Sequence, residues 1–344
     1  MKILLTGHHG YIGSVCGPLL EDAGHEVVGL DTLFYRDCDL SSARIPSTAT
    51  LLLDVRDVRP EQLEGFDAVI HLAALSNDPI GDFSPELTRE INFEATVSLA
   101  QAAREAGVRR FVFASSCSMY GASPDEAVDE SAPLKPLTVY AESKVRSEEA
   151  LAALAGADFA PVSMRNATAY GVSARLRVDL VLNNLVGWAY TTGKVKILSD
   201  GTPWRPLIHI EDLSRAALAA AEAPEDVVRG EAFNVGRDDE NYQIRELGDI
   251  VGDVVPGSEI EYAGSGDPDP RSYRVSFAKL ARALPDLELT WTARAGAQEL
   301  ADAYRAADLT LEQFESDRYT RLKRLRLLLD RGDLDPMLRW REAA

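Results

Sequence analysis

Lys2-Ile-Leu-Leu-Thr6-Gly7-His-His-Gly10-Tyr-Ile-Gly13 opens the chain, and its reading decides the fold. Residues 2–6 are a short apolar run of the length of a buried strand. The run breaks at three glycines in G-x-x-G-x-x-G spacing, and an amphipathic segment over 14–23 follows, closed by Gly24. His25-Glu-Val-Val-Gly-Leu-Asp31 is then a second buried strand that ends in an acid, eighteen residues beyond Gly13. Strand, glycine turn, helix, strand and terminal carboxylate together make the dinucleotide-binding fingerprint. Gly7, Gly10 and Gly13 permit the tight turn, the approach of backbone to a pyrophosphate, and close helix–strand packing. The pyrophosphate then sits on the helix N-terminus. Asp31 is placed to accept from adenosine ribose hydroxyls, and it repels a 2′-phosphate, so NAD is favoured over NADP. His8 and His9 read as turn residues and no metal site is expected, because no carboxylate or cysteine at ligand spacing accompanies them.

Outward from this unit the alternation continues. Residues 50–55 read as a strand whose Asp54 lies near an adenine edge, and 67–74 as another that opens into Leu75-Ser-Asn-Asp78. Residues 91–106 are alanine-rich and helical, with Asn92 near the start. Residues 110–121 form a strand with a polar end at Ser116, where ligands gather in open α/β sheets. Residues 159–165 give one more strand. His71, inside an apolar strand, reads as a packed core histidine rather than a catalyst. Beyond about residue 166 the pattern weakens into a loop, a helix over 180–190, a turn over 201–206, a strand at 207–210, a helix over 212–223, a short strand at 233–236 and a polar loop over 267–274. Strands alternating with helices imply a parallel sheet. The expected architecture is α/β: a Rossmann doubly wound parallel sheet over 1–165, and a smaller α/β substrate-binding lobe over 166–344 with some segments returning to the first domain. The tail, 309–341, is helical and basic (Arg318, Arg321, Lys323, Arg324, Arg326, Arg331) and reads as a surface helix on an acidic body.

Composition narrows the partners. The 344 residues are 46% hydrophobic and 26% charged, an ordinary globular balance, with a net charge of −19. That charge argues against nucleic acid or an anionic membrane, both of which reward basic surfaces. No stretch approaches the about 18 apolar residues of a membrane helix. The opening residues do not look like a signal peptide. Cys16, Cys38 and Cys117 are an odd, scattered set that fits a reducing cytoplasm.

The reaction is foreshadowed by Thr138-Val-Tyr140-Ala-Glu-Ser-Lys144. Tyrosine and lysine four apart on a helix share one face. A phenol is a poor base at neutral pH, its pKa being about 10. A nearby ammonium favours the phenolate. Tyr140 can then take a proton from a sugar hydroxyl or return it to a ketone. Tyr and Lys fall at this spacing by chance in many helices, so the pair alone decides nothing.

The glycine fingerprint, the Ser116 strand end and Tyr140-x-x-x-Lys144 together resemble the extended short-chain dehydrogenase/reductase family over residues 1 to about 300. Its members are NAD-dependent epimerases, dehydratases, decarboxylases and reductases of nucleotide sugars. The resemblance implies a catalytic set of Ser116, Tyr140 and Lys144. Ser116 precedes Tyr120-Gly121 in the family's S-x-x-x-Y-G segment; its hydroxyl would bond the reacting sugar oxygen, and Lys144 would also bind the nicotinamide ribose. It further implies NAD contacts from Tyr11, Ile12, Val55, Leu72, Ala73, Ala74 and Asn92 beside the glycines, Asp31 and Asp54. On the substrate side, Asn183-Asn184-Leu185 looks like the asparagine pair that meets the nucleotide diphosphate in the family's 4-epimerases. Arg205, in R-x-x-x-H-x-x-D-L, and Arg271, two before Tyr273, match two arginines suited to a diphosphate. Ser76, Ser118 and Thr168 are expected near the sugar. A homodimer is implied as well, through a four-helix contact using Ala95, Leu99, Ala102, Leu151 and Leu154.

Departures from the family pattern bear on the reaction. The 4,6-dehydratases carry Asp-Glu directly after the catalytic Ser or Thr; here Cys117 and Ser118 stand there. The UDP-glucuronate decarboxylases keep a glutamate where Ser118 lies. Cys117 is one position away from the cysteine of the GDP-fucose synthases and reads as a small buried residue. At Thr168-Ala169 the family often has asparagines. The expected activity is NAD-dependent epimerisation at C4 of a nucleotide-diphosphate sugar through a transient 4-keto intermediate. The alternatives are reduction of a nucleotide-linked keto sugar and non-catalytic dinucleotide binding, although such regulators usually lose the tyrosine or lysine.

Overall fold

The computed structural model describes residues 1–43, 48–76, 81, 83–262 and 271–341, without the side chains of 124 and 125. Asn77, Asp78 and positions 267–270 of the polar loop lie outside the described residues.

The N-terminal half follows from strands whose two faces are both apolar. Strand β1 (Lys2–Thr6) is followed by β2 (Glu26–Asp31), β3 (Ala49–Leu52), β4 (Ala68–His71) and β5 (Arg110–Ser116). After β6 (Ala122–Val128) come β7 (Ala160–Asn166), β8 (Thr168–Tyr170), β9 (Lys194–Ile197), β10 (Trp204–His209) and β11 (Ala232–Val235). Seven of them form one parallel sheet in the order β11-β7-β5-β4-β1-β2-β3. Chain order reverses between β1 and β4, and there the carboxyl ends of the strands leave a crevice for a ligand.

Period-2 alternation sends β1 side chains to both faces. Ile3 and Leu5 pack with Cys16 and Leu20 of helix Gly13–Asp22 and with Leu213, Ala216 and Ala220 of helix Ile210–Glu222. Leu4 faces the opposite layer, with Val69, Phe111, Leu99 and Leu151. Helix 210–222 and β11 thus come from beyond residue 166 and complete the first sheet. His71 ties this layer together: Nδ1 lies 2.7 Å from Thr6 Oγ1 and Nε2 2.8 Å from Thr96 Oγ1. Burial pushes its pKa down to about 3, so it stays neutral.

The remaining elements form a lobe. Strands β12 (Asn241–Gln243), β10 and β8 make one small sheet; β13 (Glu259–Tyr262) pairs with β9, and β14 (Ser272–Val275) with β6. Its core joins helix Val181–Thr192 to helix Ala293–Ala306 through Leu182, Leu185, Leu300 and Tyr304.

Two expectations fail here. Ala95, Leu99, Ala102 and Leu151 are buried at 0–7% exposure, and Leu154 packs on the same cluster. The apolar surface of the first four is covered within this chain, so they do not supply a dimer contact, while Leu154 is half-buried at the edge of the cluster. The tail is not a surface helix either. Leu325 and Leu328 of helix Arg321–Asp330, with Leu334 and Leu338, are 0–2% exposed in the layer that holds Leu4 and Val69. Each such leucine contributes about 1.5–3 kcal/mol of burial. Lys323 and Arg326 face outward from a helix anchored by its leucines, whereas Arg321 is buried.

Candidate active site

The cofactor cleft is built by the glycine turn. Gly7 has φ +72°, and a Cβ there would meet Ala73 N at 2.8 Å; one on Gly13 would lie 2.2 Å from Gly7 O. Only glycine lets the first turn of helix 13–22 come this close to the ends of β1 and β4. Gly10 N donates back to Gly7 O at 2.9 Å and closes the turn. The resulting cleft is lined by Gly7, Gly10, Tyr11, Ile12, Gly13, Asp31, Asp54, Val55, Leu72, Ala73 and Ala74. The structure therefore brings these expected dinucleotide contacts together, and the side-chain-free cradle fits a pyrophosphate.

Asp31 ends β2 at the cleft wall. Its carboxylate accepts from Leu33 N (2.7 Å) and His9 N (3.1 Å). Burial pushes its pKa up, against the pull of those two N–H groups. Asp54 lines the cleft while its carboxylate takes a bidentate grip from Arg56, at 2.9 and 2.7 Å. Asn92 is not on the cleft lining. Its amide clasps Leu75 from both sides, accepting from Leu75 N (2.8 Å) and donating to Leu75 O (3.0 Å). It thereby holds the segment that carries Ala73 and Ala74.

Thr138 fixes where the helix carrying Tyr140 and Lys144 begins. As N-cap of helix Val139–Leu154 its hydroxyl accepts from Ala141 N at 3.1 Å. Tyr140 then falls in the first turn and Lys144 one turn later. Lys144 is 4% exposed, and its Nζ donates to Ala114 O of β5 at 2.6 Å. The ammonium lies 4.5 Å from the Phe113 ring centre and 5.8 Å from that of Tyr140. Burial lowers its pKa to about 7, with Glu148 one turn on acting against the shift. Ser116, two residues beyond Ala114, donates its Oγ–H to Ser118 Oγ at 3.0 Å and accepts from Ser118 N at 3.2 Å. The Tyr140 ring, the Lys144 amine and the Ser116 hydroxyl thus lie toward the polar end of β5.

Cys117 is 1% exposed, and its thiol donates to Arg165 O at 3.0 Å. Burial holds it well above the usual thiol range, so it is no proton carrier.

Other expected substrate contacts fall in separate places. Arg205 is buried, donates to Trp204 O at 2.8 Å and to the Arg271 carbonyl, and sits over the Tyr273 ring at 5.7 Å. Arg205 and Arg271 are therefore neighbours across β10 and the start of β14. Asn184 donates to Val178 O at 2.7 Å, and Thr168 pairs with Leu207 in the lobe sheet. Asn183, its neighbour, joins lobe to cofactor domain: Nδ2 donates to Tyr11 OH at 3.0 Å, and Tyr11 OH donates to Gly171 O at 2.8 Å. Ser76 lines the dinucleotide cleft itself, within 3.2 Å of Arg177 Nη1.

Sequence reading missed Phe34, Tyr35, Arg177 and Arg321, all on the cleft wall. Phe34 and Tyr35 directly follow the Asp31 strand and could have been found there. Arg177 and Arg321 arrive from the lobe and the tail, with no local signal.

The comparisons agree with this geometry. Residues 3–236 match the NAD dependent epimerase/dehydratase family. A UDP-glucose 4-epimerase of Corynebacterium glutamicum is 31% identical over 288 residues, 78% of this chain and 85% of that protein. The UDP-glucose 4-epimerase of Bacillus subtilis is 29% identical over 343 residues, 92% of this chain and 99% of its own length. The solved UDP-glucuronic acid 4-epimerase of Bacillus cereus, in complex with UDP-glucuronic acid and NAD, has a TM-score of 0.77 at 25% identity and covers 89% of this chain and 99% of that one. With the glycine cradle, Asp31 and the Ser116, Tyr140 and Lys144 cluster in one sheet end, the chain belongs to the NAD dependent epimerase/dehydratase family, of the extended short-chain dehydrogenase/reductase type.

Proposed function

We propose that the chain is an NAD-dependent epimerase acting at C4 of a nucleotide-diphosphate sugar. The observation that carries this reading is the pair that follows Ser116: a buried, proton-retaining thiol at Cys117 and a hydroxyl at Ser118 tied to Ser116. Dehydration needs an acid and a base there; hydride exchange at C4 needs only one proton shuttle. Bound NAD supplies the hydride acceptor and donor. Tyr140, as the phenolate, takes the C4 hydroxyl proton and gives it back to the same oxygen, Ser116 orients that oxygen, and the Lys144 ammonium beside the ring favours the ionised tyrosine. Arg205 and Arg271 hold the diphosphate while the 4-keto sugar turns, and Ser76, Ser118, Thr168 and Asn184 are assigned to the sugar and nucleotide.

A homodimer belongs to the same proposal, now through the outward faces of the helical segment 90–105 and of helix 139–154, where Arg146 stacks over Phe93 at 4.1 Å. Light scattering near twice 37.5 kDa is the check. A reducing, cytoplasmic setting is supported by Cys16, Cys38 and Cys117, all buried and unpaired.

Incubation of the pure protein with a panel of UDP-, dTDP- and GDP-sugars tests the reaction. C4 inversion by NMR, with no net absorbance change at 340 nm, is expected. Stoichiometric consumption of added NADH by a 4-keto sugar, without inversion of any 4-hydroxy sugar, would assign a reductase instead.

A further inference from the structure

The tail beyond residue 311 has no part in the reaction above, yet it is seated on the cofactor cleft. Its leucines anchor it in the core, and polar contacts bind its end to the loops that rim the cleft. Trp340 Nε1 donates to Thr32 O at 2.6 Å, and Arg339 grips Asp57 with both Nη atoms. Helix 321–330 is thereby held with its first residue at the cleft wall.

That residue, Arg321, is 2% exposed. Its guanidinium stacks over Tyr35 at 4.1 Å, and Nη2 donates to Arg175 O at 2.6 Å. Nη1 is buried and has no hydrogen-bond partner among the described residues, while the side chain lines the dinucleotide cleft. A buried cationic donor left unmade is costly, and a planar guanidinium is matched to phosphate oxygens.

We propose that residues 311–341 form a cofactor clamp, in which Arg321 donates to a phosphate oxygen of the bound dinucleotide and the tail closes the cleft beside Thr32 and Asp57. The clamp rests on the assignment of this cleft to NAD and is independent of what happens at the sugar. Its consequence is slow NAD release, which suits a cofactor recycled within the site.

The test uses full-length protein. Arg321→Met should speed the release of bound NAD, chased with excess dinucleotide, by about tenfold or more, the scale of one charge-assisted hydrogen bond. ADP binding should weaken by a similar factor, and adenosine binding by less than about twofold. Unchanged NAD release, or equal weakening of ADP and adenosine, overturns the proposal. If Arg321→Met does not fold, the double variant Arg339→Ala with Trp340→Ala loosens only the tail end. Faster NAD release at an unchanged melting temperature of the NAD-free protein supports the clamp, and unchanged release overturns it. The outcomes separate from those for the reaction: C4 inversion by the wild type with NAD release unaltered in Arg321→Met sinks the clamp alone, and faster release from Arg321→Met with no inversion by the wild type sinks the epimerase reading alone.

Discussion

Replacing Lys144 with methionine should abolish turnover and yet stabilise the ligand-free protein at acid pH. The reasoning starts from a lysine held at about 7 instead of its ordinary 10.5. The folded chain binds that proton more weakly than the unfolded chain does. The charged lysine therefore costs the fold most below about pH 7, and the cost disappears as pH rises through 10.5. Converted at ~1.4 kcal/mol per pH unit, the full cost is roughly 5 kcal/mol. Methionine fills similar space without charge, but loses the hydrogen bond to Ala114 O and the contact with Phe113. Together these losses amount to about 2–3 kcal/mol, chiefly because Ala114 O is left without its buried donor. The variant should thus gain about 2–3 kcal/mol at pH 6, a rise of ~3–4 °C in melting temperature for a chain of this length. At pH 9.5 only about a quarter of the wild-type cost remains, so the variant should be the less stable of the two by about 1 kcal/mol. Differential scanning fluorimetry of both NAD-free proteins at the two pH values measures this. The global titration of an acidic protein cancels in the difference. An advantage of Lys144→Met that does not shrink between pH 6 and pH 9.5 would refute the argument.

Tyr140→Phe should lower turnover at least ~10²-fold, the scale of one positioned acid/base group, while NAD content measured after denaturation stays at the wild-type level. Asp31→Ala should narrow the preference for NAD over NADP in fluorescence titrations, because it removes the carboxylate that repels a 2′-phosphate; a variant with an unaltered ratio contradicts that role. Tyr11→Phe should destabilise the protein by about 1–3 kcal/mol in urea unfolding, since Gly171 O loses its buried donor and Asn183 Nδ2 one of its acceptors.

The sequence by itself determined the units whose chemistry is local. The glycine spacing fixed the first turn, because only glycine tolerates backbone 2–3 Å from where a Cβ would stand. Apolar runs fixed the strands, and a four-residue spacing put Tyr140 and Lys144 on one face. Ser116 was legible as a polar end on a buried strand. The direction of each helix face was not. Ala95, Leu99 and Leu151 make an apolar stripe that suits a partner or a sheet equally, and only the packed sheet decided between them. The tail misled for the same reason: its arginines are conspicuous, whereas Leu325 and Leu328 mark its buried side at helical spacing. Arg321 and Asp31 meet one cleft from 290 positions apart in the chain. No local pattern encodes that encounter, because it depends on where burial of the tail leucines docks the last helix, and that is settled by the shape of the sheet's far face.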